Sequence, residues 1–219
     1  MVRTAGGSGA ANRKRWGLGL VFSFGRRNVT LAGRRTVIHR WHREPRVSFD
    51  YQPVLKGDLV ELRPLRSEDY ADLYAIAADP LIWEQHPERN RHEEGRFQEF
   101  FREALASGGA LIAIDAKTQR VIGSSRFHGY DEGRSEVEIG WSFLGRSYWG
   151  GVYNRQMKEL MLRHAFRFVN SVVFLISTQN LRSQRAVEKI GGVRVEPRPH
   201  PSGQEIYVYQ ITASAFARR

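Results

Sequence analysis

The stretch Trp149-Gly150-Gly151-Val152-Tyr153-Asn154 constrains this chain more than any other, because it joins a strand-like run, Glu136 to Leu144, to a strongly amphipathic helix. Met157, Leu160, Met161, His164, Ala165 and Phe168 fall on one face at the helical period. A strand, a glycine turn and a helix N-terminus together make an anion site. The N–H groups of the first turn have no intrahelical partner and carry the positive end of the helix dipole, and glycine lets a phosphate approach the main chain. The expected ligand therefore bears a phosphate. Neither common nucleotide motif accounts for it, since the loop has no Gly-Lys-Ser/Thr and no GxGxxG spacing follows this strand.

Charge separates an appendage from a domain. The 219 residues carry a formal net charge of +11, and nearly all of it sits in residues 1–48. There Arg13-Lys14-Arg15, Arg26-Arg27 and Arg34-Arg35 are set against a single acid, Glu44, whereas residues 49–219 are close to neutral. Residues 1–48 are expected to be a basic, disordered extension, either a tail without function or an arm making weak contact with nucleic acid, a ribosome or an anionic membrane. Their apolar run, Leu18 to Phe24, is shorter than a membrane span, and no clear A-x-A cleavage site follows it. No cysteine occurs, which removes disulfides, thiolate nucleophiles and Cys-based zinc sites and makes the cytoplasm the default location. No metal is expected from the histidines either, because His92-Glu93-Glu94-Gly95 lacks the second His of an H-E-x-x-H pair. His164, on the apolar helix face, reads as a core residue.

Within residues 49–219, Asp58 to Pro64 alternates and reads as a first strand. Ser67-Glu68-Asp69 supplies an N-cap and first-turn acids for a helix burying Tyr70, Leu73, Tyr74 and Ala77, and Asp79-Pro80 is expected to end it. A loop through Trp83, Glu84 and His86-Pro87 leads to a second helix, His92 to Ala106, with Phe97, Phe100 and Phe101 in an aromatic stripe. Ala110 to Asp115, Val121 to Tyr130 and Arg134 to Leu144 read as an antiparallel meander. After the glycine-turn helix, Val172 to Ile176 is an unbroken apolar run suited to a strand buried on both faces. Asn180 caps a short helix with Ser183, Ala186, Val187 and Ile190 on one face; Gly191-Gly192 stops it, and Val193 to Val195 with Glu205 to Ile211 form a closing hairpin. The expected fold is α+β with a mixed sheet.

This order of elements resembles the GNAT N-acetyltransferase superfamily, and within it the branch containing ribosomal-protein N-terminal acetyltransferases. The residues that carry the resemblance are Leu62-Arg63-Pro64-Leu65 with Ser67-Glu68-Asp69, Asp79-Pro80 with Trp83, Glu138-Ile139-Gly140-Trp141, Tyr148-Trp149-Gly150, and the run from Asn180 through Ser183, Arg185-Ala186 and Glu188-Lys189 to Gly191. They span roughly residues 55–211. Three positions depart from the family pattern: Val152 stands at the second small position of the loop, Ser147 where Arg or Gln is usual, and Val187 where a tyrosine general acid often lies.

The resemblance implies a central mixed, mostly antiparallel sheet flanked by about four helices, and acetyl-CoA as co-substrate between two splayed strands. Pantetheine would pair with Phe143 and Leu144, and the pyrophosphate would rest on the loop from Trp149 through Gly150, Gly151, Val152 and Tyr153 to Asn154, with Arg146 and Arg155 as added charges. The base for an amine acceptor would be Glu138, with Glu136 on the same face as the alternate. Backbone N–H groups near Ser142 and Phe143 would polarise the thioester carbonyl. Ser183 would protonate the departing thiolate directly or through water, and Asn180 would both cap its helix and touch the cofactor. Trp83, Glu84, Arg126 and His128 are the candidates to meet the acceptor, which stays open among a protein N-terminus, an amino acid, a polyamine and an aminoglycoside. A catalytically silent CoA-binding protein and a ribosome- or RNA-associated one are the competing readings.

Overall fold

The computed structural model describes residues 48–197 and 205–219. The basic extension expected over residues 1–48 thus lies outside the described residues but for its last position, as does most of the loop 197–204. Eight strands form one sheet: β1 (Leu55–Lys56), β2 (Val60–Pro64), β3 (Ala110–Asp115), β4 (Val121–Asp131), β5 (Glu136–Leu144), β6 (Ser171–Ser177), β7 (Val193–Val195) and β8 (Ile206–Thr212). Their spatial order is β1-β2-β3-β4-β5-β6-β8-β7, and β5 against β6 is the parallel pair in an otherwise antiparallel sheet. The mixed α+β fold is therefore as expected, with the short β1 added ahead of the first strand read from sequence. Among the described residues six α-helices accompany it: α1 (Tyr70–Ala77), α2 (Pro80–Trp83), α3 (Glu94–Ala106), α4 (Val152–Ala165), α5 (Leu181–Lys189) and α6 (Ala213–Ala217).

The sheet is buried on both faces, which β3 shows strand-internally. Leu111 and Ala113 enter the core shared with Met157, Met161 and Ala165 of α4, whereas Ala110 and Ile112 enter the core shared with Leu73 of α1 and Phe97, Phe100 and Phe101 of α3. Side chains alternate across a strand, so only an apolar residue at every position satisfies both layers at once.

Two local readings are corrected. Asp79-Pro80 opens α2 rather than merely ending α1: the Asp79 carboxylate accepts the Leu81 N–H at 3.0 Å, and proline is suited to a first helical position, whose N–H has no intrahelical acceptor. The turn before β5 also runs to Ser135, because the Asp131 carboxylate accepts both N–H and Nε–H of Arg134, and Ser135 takes a left-handed φ of 50°.

Candidate functional site

Strands β5 and β6 pair only at Glu136–Ser171, Val137–Val172 and Glu138–Val173. Beyond that point β5 continues against β4 and β6 against β8, and the two part. The wedge between them is a cleft of about 450 Å³, with Gly140, Ser142, Phe143 and Leu144 on one wall and Phe174, Ile176, Asn180 and Ser183 on the other. Glu138 stands at its foot, on the last paired position.

A bulge in β5 shapes the first wall. Ser124 pairs with Phe143 and Arg126 with Gly140, so the single Ser125 faces the two residues Trp141 and Ser142, and Trp141 adopts a φ of 51°. An extra residue reverses the alternation of everything after it. Val137 and Ile139 face the α4 core before the bulge; after it Phe143 faces the α1–α3 core and Leu144 the α4 core. The bulge also withdraws the main chain of Trp141 and Ser142 from the regular ladder, beside the cleft.

The glycine loop lies at the far end. Gly150 has a φ of +69° with no atom within 4 Å of where a Cβ would stand, and the cleft is bounded by Trp149, Gly150 and Asn154. Trp149 is fixed by its Nε1–H donating to the Leu144 carbonyl at 2.8 Å and by the Arg182 guanidinium stacked 4.0 Å over its ring. Several loop residues lie elsewhere than expected. Arg146 pairs with Asp79, and Arg155 pairs with Glu159 at 3.1 Å, so neither guanidinium is free toward the loop. Tyr153, expected in the pyrophosphate loop, turns inward instead, its hydroxyl donating to Asp115 at 3.1 Å and its ring edge-on to Tyr148. Gly151 and the exposed Val152 do not line the cleft. Asn180 caps α5 by accepting the Ser183 N–H at 3.1 Å while also lining the cleft, as do Ser183 and the buried Val187.

Two ionisable side chains in the cleft are displaced toward neutrality. Burial pushes the Glu138 carboxyl up to about 7, against the opposing pull of Arg126. Glu136, the alternate, is buried at the closed end of the β5–β6 pairing and does not line the cleft. Lys158 escaped the sequence reading. It lies in the second turn of α4, wholly buried, its Nζ bonded to Ser125 Oγ at 3.1 Å and to Ser142 Oγ at the bulge, and burial pulls its ammonium down to about 7. The signal was there, for 158, 161, 162 and 165 share the inward stripe and a lysine interrupts it.

Lys158→Met is expected to stabilise the fold by about 1–3 kcal/mol at pH 6, since an apolar side chain of similar volume replaces a buried charge. Ser125 and Ser142 already bond each other at 2.8 Å, so no hydroxyl is orphaned. The folded-state value lies below the usual 10.5. The penalty therefore sets in as pH falls from 10.5 and is complete below 7, and the gain should shrink toward pH 10. Urea midpoints at the two pH values check this; a gain independent of pH would mean the lysine is not charged in the unfolded state alone.

On the α1–α3 side, Trp83 lines the cleft, buried, with its Nε1–H donating to the Ala77 carbonyl at 2.7 Å. Glu84 does not line it and borders a separate depression with Gln179 and Glu205. Arg126 and His128 of β4 pair with Gly140 and Glu138 of β5 but do not themselves line the cleft, the His128 ring standing edge-on to Trp141, which does. His86 and Arg91, not foreseen, complete that wall; burial and the Arg91 charge hold His86 near 4, hence neutral.

These features can be set beside known proteins. The profile described as Acetyltransferase (GNAT) domain matches residues 60–193. A GCN5-related N-acetyltransferase from Brucella melitensis superposes with a TM-score of 0.68 at 18% identity, over 79% of this chain and 83% of that one. A spermidine N-acetyltransferase from Vibrio cholerae, in complex with CoA and spermine, does so at 0.57 and 14%, over 74% and 99%. A candidate ribosomal-protein-serine acetyltransferase from the same organism reaches 0.60 at 12%, over 73% and 97%. No functionally curated protein matches the sequence. Fold likeness at such identities carries the architecture, and the profile carries the family. With most of its described domain matched from β2 to β7, the chain belongs to the GNAT acetyltransferase family.

Proposed function

We propose that this chain transfers an acetyl group from acetyl-CoA to a primary amine, by direct attack in a ternary complex. The observation that carries the reading is the placement of Glu138, a carboxylate raised to about 7, at the foot of a cleft opened by the parting of β5 and β6. Acetyl-CoA supplies the activated acyl carbon. Glu138 takes the proton from the attacking amine as the C–N bond forms; a base that titrates near neutrality is well matched to that task. The main-chain N–H groups about the Trp141–Ser142 bulge stabilise the charge developing on the carbonyl oxygen. Ser183, at the cleft end of α5, relays a proton from water to the sulfur as the C–S bond breaks, taking one as it gives one, so the hydroxyl is restored. Trp149, Gly150, Asn154 and Asn180 hold the phosphate-bearing arm, the N-terminus of α4 providing its positive end.

In this reading residues 49–219 are the transferase domain and residues 1–48 an appendage, and the enzyme works in the cytoplasm; among the described residues no helix is long and apolar enough to cross a membrane. The likeness to a candidate ribosomal-protein-serine acetyltransferase keeps a protein N-terminus among the acceptors.

Thermal unfolding of the full chain with acetyl-CoA, longer acyl-CoAs, CoA and ATP tests the reading. A ligand at about 100 times its dissociation constant adds about 2.7 kcal/mol of stability. Acetyl-CoA and CoA are expected to raise Tm by several degrees and ATP to leave it unchanged. A folded chain indifferent to every CoA compound would end the proposal.

A further inference from the structure

A buried guanidinium, Arg126, lies near Glu138, and a second, Arg91, shares the Phe100 ring with it; neither is fully bonded. Arg126 is 5% exposed, and its Nε and Nη2 have no hydrogen-bond partner among the described residues. What surrounds it is aromatic: its guanidinium lies 4.6 Å over Trp141 and 5.8 Å over Phe100. Arg91 is 6% exposed, bonded through Nη2 to Glu88 and through Nη1 to His86 at 3.2 Å, with Nε unpartnered, and it sits 4.5 Å from the same Phe100 ring. The charges nearest Arg126 are Glu103 and Glu138 as carboxylates and Arg91 as a like charge, while burial, and then Arg126 itself, lower the basicity of His128; none of them bonds its unpartnered N–H groups. A desolvated cation with open donors is costly to keep, and a carboxylate, which accepts two parallel N–H bonds, is its natural complement.

The geometry sets the spacing. Arg126 pairs across the ladder with Gly140 and His128 with Glu138, so Arg126 and Glu138 are diagonal neighbours on one face. Such neighbours stand about 7 Å apart at Cβ. Gly140 leaves that corner open, and the Glu138 carboxylate occupies the space, 2.8 Å from where a Gly140 Cβ would be. A small molecule with an amine at Glu138 thus lies within a few bonds' length of Arg126, which stands behind the cleft lining, and meets Arg91 on the lining itself.

We propose that the acceptor is an amino carboxylate, its amine presented to Glu138 and its carboxylate drawn to Arg91 on the cleft lining and to the unpartnered Arg126 guanidinium behind it. This rests on the transferase reading above and narrows it. It sets this chain apart from its spermine-bound structural neighbour, whose ligand is a polycation, because two buried arginines repel a second positive charge where they bind a negative one.

The test pairs acceptors that differ in one group: the common α-amino acids, β-alanine and 4-aminobutyrate, each against its carboxamide, with spermidine and a peptide amide as the other classes. Transfer by the full chain is followed as CoA thiol released, and binding is read separately by thermal unfolding with and without CoA. At least one amino carboxylate is expected to exceed its carboxamide in kcat/KM by about 10- to 100-fold, the range of hydrogen bonds to a charged group. Arg126→Met should bring that ratio to about 1 while keeping the acetyl-CoA shift, and Arg126→Lys, which keeps charge but loses the fork, should retain a fraction of it. If Arg126→Met does not fold, Arg91→Met is expected to reduce the ratio several-fold. Preference for a carboxamide, spermidine or the peptide over every amino carboxylate overturns the proposal, as does a ratio unchanged in the folded Arg126→Met chain, or amino carboxylates that neither react nor stabilise the protein. Loss of the acetyl-CoA shift alone would instead remove the transferase reading, with stabilisation by amino carboxylates still reporting the Arg126 site.

Discussion

Glu138→Gln is expected to lower kcat by about two to four orders of magnitude, the usual worth of a positioned base, and to abolish the rise of rate with pH. The carboxyl is raised from 4.5 to about 7, burial being the main cause. The wild-type rate should therefore climb through pH 7 as the carboxylate forms, and the glutamine variant should lack that limb. Stability moves the other way. Below pH 4.5 the carboxyl is protonated in both folded and unfolded chains and contributes no difference. As pH rises to 7 the unfolded chain ionises first, so the folded state loses ground, and the loss is complete above 7. Glutamine removes it, and the variant is expected to be about 1–3 kcal/mol more stable than wild type at pH 8 and equal to it at pH 4. An enzyme that is less active and more stable after one substitution is holding an uncomfortable group for its chemistry. pH–rate profiles and urea midpoints measure the two effects. If the ascending limb survives in Glu138→Gln, the base lies elsewhere.

Much of the scaffold around that carboxylate could be read directly because its constraints are local. The bounds of β3 matched the reading at both ends, since an apolar run closed by the Asp115 turn has no other use. Helix α4 and its glycine entry were legible for the same reason: periodicity and turn residues act within a few positions. Pro80 misled because proline both stops one helix and starts the next, and only the side chain of Asp79 decides which. The bulge could not have been found this way. Nothing local favours a left-handed tryptophan at 141; the strain is accepted because β4 fixes the register on both sides. The buried cluster behind the cleft was half visible. Arg126 and His128 stood out on an alternating strand, but Arg91 meets Arg126 across 35 positions of sequence, around a Phe100 ring that reads only as core. Arg146 went astray in the opposite sense, a basic residue beside a phosphate loop whose partner, Asp79, lies on another helix.

Alanine at Gly123 is expected to destabilise the fold by about 3 kcal/mol or somewhat more, at the upper end of what overpacking costs, because the site is rigid. A Cβ there would stand 2.0 Å from the Phe143 carbonyl oxygen and 2.9 Å from the Leu144 Cα. Both are backbone atoms, so no rotamer relieves the clash and the β4–β5 ladder must part at Gly123–Leu144. That pair lies just past the bulge, where Phe143 and Leu144 form the cleft wall and the Leu144 carbonyl holds Trp149. The damage should therefore reach function as well, with the acetyl-CoA shift reduced even at temperatures where the variant remains folded. Gly95→Ala is the matched control. Gly95 lies in α3 with nothing within 4 Å of its would-be Cβ, and alanine there should stabilise by about 0.5–1 kcal/mol through helix propensity alone. The same added methyl group thus has opposite signs at two positions, and denaturant midpoints of both variants read the difference. A Gly123→Ala chain as stable as wild type, with its acetyl-CoA shift intact, would mean that the two strands are free to move apart at this point, and that the cleft is framed by β6 and α5 rather than by the bulged edge of β5.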